Sequence, residues 1–257
     1  MTLFVSQFGS GRPLLCLHGI EAHGLRFVAL ATLLSDVHVV APDLRGHGHS
    51  LTVGPWTMAQ HLEDLAPILR DIGPDTVVLG HSYGGLIAWE LARAMPEALR
   101  GLVLVDPAIG VTAETRDWGI EATGSTIVWP DERTALEGLL AQREPTAWWA
   151  AALEFANTLE PAPRGEGLRT IVREDTVRAA WAHMHEPIRE SKWRGPTLLL
   201  EAARENGKFV PPATLAAMKS NLGDALDHRI VNVTHTIPSD HPDLLVMHVT
   251  EFFNRLG

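Results

Sequence analysis

Through the first 110 residues, short apolar runs alternate with segments of helix length. Leu14-Leu15-Cys16-Leu17 ends at His18-Gly19, and Val37-His38-Val39-Val40-Ala41 ends at Pro42-Asp43. Thr76-Val77-Val78-Leu79 ends at Gly80, and Leu102-Val103-Leu104-Val105 ends at Asp106-Pro107. Runs of four or five residues, rich in Val and Leu and bounded by Gly or Pro, read as strands buried on both faces. Between them, Leu25 to Leu34, Thr57 to Ile72 and Ser82 to Met95 carry helical patterns. This alternation predicts a parallel sheet flanked by helices. Gly9-Ser10-Gly11-Arg12 reads as a hairpin-like turn.

The texture changes from Pro107 to Trp193. Valine runs disappear, helices are predicted over Asp131 to Gln142 and Thr146 to Leu159, and Pro161 to Gly165 reads as a loop. Strand texture returns at Thr197-Leu198-Leu199-Leu200 and at Asp227 to Val233, and a last helix is predicted from Asp243 to Arg255. The pattern predicts an α/β core of residues 1–106 and 194–257 around a mostly parallel sheet, with a helical insertion over 107–193.

Composition narrows the function classes. With 21 Lys and Arg against 31 Asp and Glu, the chain of 257 residues carries a formal charge of −10. That balance disfavours a nucleic-acid partner. No apolar run reaches the roughly 20 residues of a membrane helix, and Met1 to Phe8 lacks the basic and apolar segments of a signal peptide, so a cytoplasmic location is expected. Cys16 is the single cysteine, which excludes an internal disulfide and a Cys-rich zinc site. Its apolar surroundings predict a buried thiol.

Candidate chemistry begins at Gly80-His81-Ser82-Tyr83-Gly84-Gly85. This fits G-x-S-x-G between a predicted strand and a predicted helix, the context of a nucleophile elbow. Ser82 is the candidate nucleophile. The loop His18-Gly19-Ile20 follows another strand and can aim the Ile20 amide at the same point as the Tyr83 amide, making an oxyanion hole. Asp43-Leu44-Arg45-Gly46-His47-Gly48-His49-Ser50 follows the next strand. With these three segments and His235 before the final helix, the chain resembles the α/β-hydrolase superfamily over nearly its whole length, which implies an α/β-hydrolase core with a mostly parallel sheet of about eight strands and a helical cap.

The resemblance implies structural roles for Asp43 and Arg45, and His18 is expected to support its loop. It implies that the base is His235, with Thr234 where the glycine of Gly-His usually stands; His241 is the competing histidine. The chain order Ser…Asp/Glu…His then calls for an acid. The usual strand-then-Gly-x-x-Asp spacing falls on Glu205, and Asp106 is the alternative.

The resemblance also makes 107–193 a cap over the serine. Five of the eight tryptophans lie between Trp118 and Trp181, and Trp129, Trp148, Trp149 and Trp181 are candidate substrate contacts. His183 and His185 stand at i and i+2 and point apart on a helix, so no metal is expected, and no cofactor fingerprint appears. The expected activity is serine-dependent hydrolysis of a small or medium apolar carboxylic ester or lactone. The chain is expected to act as a monomer or homodimer. C–C bond hydrolysis or peracid formation would use the same triad, and a ligand-binding receptor with a slow triad is the alternative of another class.

Overall fold

A computed structural model describes residues 3–123, 127–141, 147–165, 167–205 and 208–257. The chain opens with strand β1 (Val5–Phe8) and strand β2 (Arg12–Leu17). A 3-10 turn at Gly24–Phe27 leads into helix α1 (Val28–Leu33), followed by β3 (Val37–Pro42), α2 (Met58–Ile72), β4 (Val77–His81), α3 (Tyr83–Ala94) and β5 (Gly101–Val105). The predicted elements of this half appear with ends shifted by a few residues.

The main sheet has seven strands, against the expected eight. Two of its seven, β9 (Thr197–Ala202) and β10 (Leu226–Val231), come after the insertion. The order is β1-β3-β2-β4-β5-β9-β10, with β1 antiparallel to β3 and every other pairing parallel. The Gly9 to Arg12 segment therefore joins strands that are not neighbours, which corrects the hairpin reading. Strand order turns back between β2 and β4, and in open α/β sheets ligands bind beyond the carboxyl ends of the strands at such a switch.

Successive side chains on the central strands enter opposite layers, as the pleat requires. Leu15, Leu17, Val78, Leu102 and Leu104 pack in one layer with Leu65 of α2 and Ile87 and Leu91 of α3. Leu14, Cys16, Val77, Leu79, Val103 and Val105 pack in the other with Phe27, Leu30 and residues Leu245, Val249 and Phe252 of the C-terminal segment. Cys16 is fully buried there, and burial pushes its thiol up, away from ionisation. Helix α2 shows the local logic. Thr57 caps it by accepting the Gln60 amide at 3.2 Å, and Met58, His61, Leu65 and Leu69 form its buried stripe.

Between β5 and β9 the chain forms α4 (Ala113–Thr123), β6 (Val128–Trp129), α5 (Glu132–Ala141), α6 (Trp148–Thr158), β7 (Leu159–Pro161), β8 (Leu168–Thr170) and α7 (Glu174–His185). Gln142 and Thr146, at the ends of two predicted helices, lie outside the described residues. The insertion is mainly helical, and an antiparallel sheet of three short strands, β6-β8-β7, joins its helices. Strands of two or three residues are too short to show a period in the sequence. After β9 come α8 (Pro212–Leu222), β10, the short α9 (Ile237–Asp240) and α10 (Pro242–Leu256). Among the described residues no helix is long and apolar enough to cross a membrane.

Candidate active site

The site forms where β2, β4, β5 and β9 end. Ser82 stands between β4 and α3 with φ 53 and ψ −120, a conformation that a non-glycine residue adopts only when its surroundings enforce it. The neighbouring glycines permit the turn. A Cβ on Gly80 would lie 2.2 Å from the Gly84 carbonyl oxygen, and one on Gly84 would lie 2.2 Å from that of Leu17. The Ser82 amide donates to the Val105 carbonyl at 3.1 Å, which ties the elbow to β5.

The segments that carry the Tyr83 and Ile20 amides adjoin this serine. Tyr83 is the first residue of α3, so its N–H is one of the donors a helix leaves without an intrahelical partner. On the other side, a Cβ on Gly19 would stand 3.1 Å from Ser82 Cβ, so the loop after β2 adjoins the nucleophile. His18 Nδ1 lies 2.7 Å from the Gly19 carbonyl oxygen, and Leu44 N donates to His18 Nε2 at 2.9 Å. His18 therefore carries its proton on Nδ1, and burial drives its pKa well below the ordinary value. With the Gly19 C=O held by His18, the planar trans peptide turns the Ile20 N–H the opposite way.

The Asp43 loop is structural, as expected. Asp43 accepts the Gly24 amide at 2.6 Å and the His49 amide at 2.8 Å. Arg45 forms a fork with Asp64, both bonds at 2.7 Å.

His235 follows β10 and receives four partners. Its Nδ1 lies 2.6 Å from Asp106 Oδ2, and its amide donates to Glu205 Oε1 at 3.0 Å. His81 Nε2 donates to its carbonyl at 2.8 Å, and Phe209 stacks on its ring with centroids 3.8 Å apart. The structure thus corrects the assignment of Glu205 as the acid. Glu205 holds the backbone of the histidine, whereas Asp106 holds the imidazole. Asp106 is 1% exposed, and its second oxygen accepts the Ala202 amide at 3.0 Å. Asn206 and Gly207, next to Glu205, lie outside the described residues. His241 stands at the N-cap of α10 instead.

Sequence reasoning missed Phe209 and the ring of His81. Phe209 carries no motif, whereas His81 occupies the variable position before the serine, where a side chain beside the site is to be sought. It also missed a clamp on Tyr83, whose hydroxyl lies 3.1 Å from both His61 Nε2 and His183 Nδ1. The one hydroxyl proton goes to one imidazole, and the other imidazole donates to the oxygen. Burial lowers His61 to about 3 and also lowers His183, so both stay neutral.

The tryptophans do not gather in one pocket, which corrects that expectation. Trp181 is buried, donates to Thr123 Oγ1 at 3.0 Å and meets the Trp118 ring edge-on. Trp148 is 66% exposed and, with Trp149, lines an outer face with Val28 and Leu33 of α1. Trp129 lines a small cavity with Glu21 and Glu154. His183 and His185 have different partners, the latter being 2.7 Å from the Val111 carbonyl. Among the described residues no group of three or more His, Cys, Asp or Glu is placed to hold a metal.

A model of the alpha/beta hydrolase family matches residues 14–248. The chain belongs to the alpha/beta hydrolase family. This hydrolase is 29% identical to the lipase LipV of Mycobacterium tuberculosis over 250 residues, covering 93% of each chain. It is 27% identical to the 2-(acetamidomethylene)succinate hydrolase of Mesorhizobium japonicum, over 99% of this chain and 92% of that one. Among solved structures, the crystal structure of E-2-(acetamidomethylene)succinate hydrolase superposes with a TM-score of 0.84 at 23% identity, over 98% of this chain and 95% of that one. That likeness speaks for the fold, while the hydrolase class rests on family membership.

Proposed function

We propose that this hydrolase cleaves carboxylic esters through an acyl-enzyme on Ser82, with His235 as base and Asp106 as the acid behind it. The observation that carries the reading is the 2.6 Å bond between His235 Nδ1 and Asp106 Oδ2 beside a serine held at φ 53. An ionised Asp106 only accepts, so Nδ1 keeps its proton and Nε2 presents a lone pair. His235 Nε2 takes the Ser82 proton as Oγ attacks the ester carbonyl, and the oxyanion is held by the amides of Ile20 and Tyr83. The imidazolium, stabilised by Asp106, protonates the leaving alcohol as the C–O bond breaks. Water, deprotonated by His235, then attacks the acyl-enzyme, and collapse releases the acid and returns the proton to Ser82.

The substrate class is a small or medium apolar ester or lactone, and residues 107–193 act as the cap that shapes its site. The relative named as a lipase supports ester cleavage, and the succinate-derivative hydrolase supports hydrolysis in the broader sense. The test is turnover of p-nitrophenyl esters of graded chain length. Ser82→Ala and His235→Ala are each expected to lower kcat by about 10⁴-fold or more. Turnover that survives Ser82→Ala would overturn the proposal.

A further inference from the structure

Asp106 holds the imidazole of His235 at one ring atom, and a single bond at Nδ1 does not by itself set the plane of the ring. Phe209 sets it. Its ring lies on the imidazole with centroids 3.8 Å apart and planes 24° from parallel. Phe209 is 4% exposed and packs in the core, so the phenyl is itself fixed. Its carbonyl accepts the amide of Ile109, three residues beyond Asp106, at 3.2 Å. The loop after β5 brings the acid, the loop after β9 brings the stack, and this bond ties the two together.

The stack also meets a charge. In the acyl-transfer cycle His235 becomes an imidazolium, and a cation within about 6 Å of a phenyl centroid is attracted to the negative face of the ring. Other groups act on the same imidazole. Asp106 meets Nδ1, Glu205 accepts the backbone amide, and the His81 ring stands with its centroid 4.8 Å away, tilted by 41°. The Lys208 ammonium lies 5.6 Å from the Phe209 centroid, but it sits closer to Trp118, 2.9 Å from the centroid of that ring. Asp106 thus supplies the full negative charge, and Phe209 supplies an aromatic face against the imidazole.

We infer that Phe209 is a positioning residue for the reaction, its ring setting the plane in which His235 presents Nε2 to Ser82 and stabilising the imidazolium that forms as the serine attacks. The inference rests on the ester reading above and deepens it. A phenyl that only filled space would give way to leucine without changing how the base titrates. Loss of an aromatic face has a definite sign, because a less stabilised imidazolium gives up its proton at lower pH. Water entering the same gap has the opposite sign, because hydration favours the charged form.

The test combines steady-state kinetics on p-nitrophenyl butyrate with NMR titration of the His235 imidazole, assigned by comparison with His235→Ala. Two changes are made at the position: Phe209→Leu, and 3,4,5-trifluorophenylalanine in place of Phe209, which keeps the ring while its fluorines weaken the negative face. Phe209→Leu is expected to lower kcat about 3–30-fold, the range of a cation–π contact, with KM kept within about twofold. In both proteins the acid limb of kcat/KM and the NMR midpoint of His235 move to lower pH, by about half a unit or more. The fluorinated protein carries the test if Phe209→Leu folds poorly. A midpoint that stays or rises overturns the inference even where kcat falls, since lost packing alone slows an enzyme. A kcat kept within about twofold in folded Phe209→Leu overturns it as well. Ser82-dependent turnover with an unmoved midpoint removes the role of Phe209 and leaves the ester reading standing. If no ester is turned over, that reading fails and the NMR midpoint decides alone: a downward shift upholds the imidazolium contact, and no shift overturns it.

Discussion

Two carboxylates reach His235 at different atoms, and the difference sets their consequences. Asp106 fixes the imidazole tautomer, so Asp106→Asn is expected to lower kcat by about 10⁴-fold, the cost of presenting the wrong tautomer. Glu205 accepts one backbone amide, so Glu205→Gln keeps an acceptor there and is expected to cost less than about tenfold. Steady-state kinetics of the two variants check this, and the reverse ranking would return the acid to Glu205. The reason the sequence does not separate them is geometric. β5 and β9 are neighbours in the sheet, so the residues just beyond both strands lie at the same edge. Spacing along the chain brings each candidate there, and only the direction of the side chain distinguishes them. By contrast, the turns that carry Ser82 and His18 were legible because tight backbone turns demand particular residue types, and those demands appear as short motifs.

At the scale of elements, the long valine and leucine runs were legible because parallel strands bury both faces. β1, with its mixed Val-Ser-Gln-Phe sequence at the sheet edge, and the short β6, β7 and β8 left no such trace. The insertion also misled through its tryptophans, since an aromatic residue reads alike whether it packs a core or lines a pocket. Helix α7 joins the core through Val177, Trp181 and Met184. Trp181→Ala is accordingly expected to cost about 3–5 kcal/mol, whereas Trp148→Ser should stay within about 0.5 kcal/mol. Denaturant unfolding of the two variants measures both. The same helix carries His183 to the Tyr83 hydroxyl. Tyr83→Phe strips a partner from both His61 and His183, and is expected to destabilise by about 1–3 kcal/mol. A variant as stable as wild type would show that the clamp contributes nothing.

For the whole molecule, the buried histidines set the response to acid. Burial holds His47 at about 4 and His61 at about 3, and drives His18 far down as well. Below the ordinary value of 6.5 the unfolded chain takes up protons that these residues refuse in the folded state. Their contribution is complete above pH 6.5 and is lost as pH falls towards 4. Glu21, raised to about 8, acts with the opposite sign. Its contribution is complete below about 4.5 and is lost as pH rises through 8. Thermal unfolding is therefore expected to show Tm falling below pH 6.5, with a shallower slope in His61→Gln, and declining gently from pH 6.5 to 8.5, with that decline removed in Glu21→Gln.

The central claim is that the elbow, both amides and the His235–Asp106 pair form one working acyl-transfer site. Labelling with a fluorophosphonate, read by intact mass and peptide mapping, tests it most directly. The account predicts one adduct, on Ser82, formed with loss of ester turnover and absent from Ser82→Ala. An unlabelled protein, or an adduct elsewhere with turnover intact, would contradict it and leave a binding protein built on a hydrolase fold.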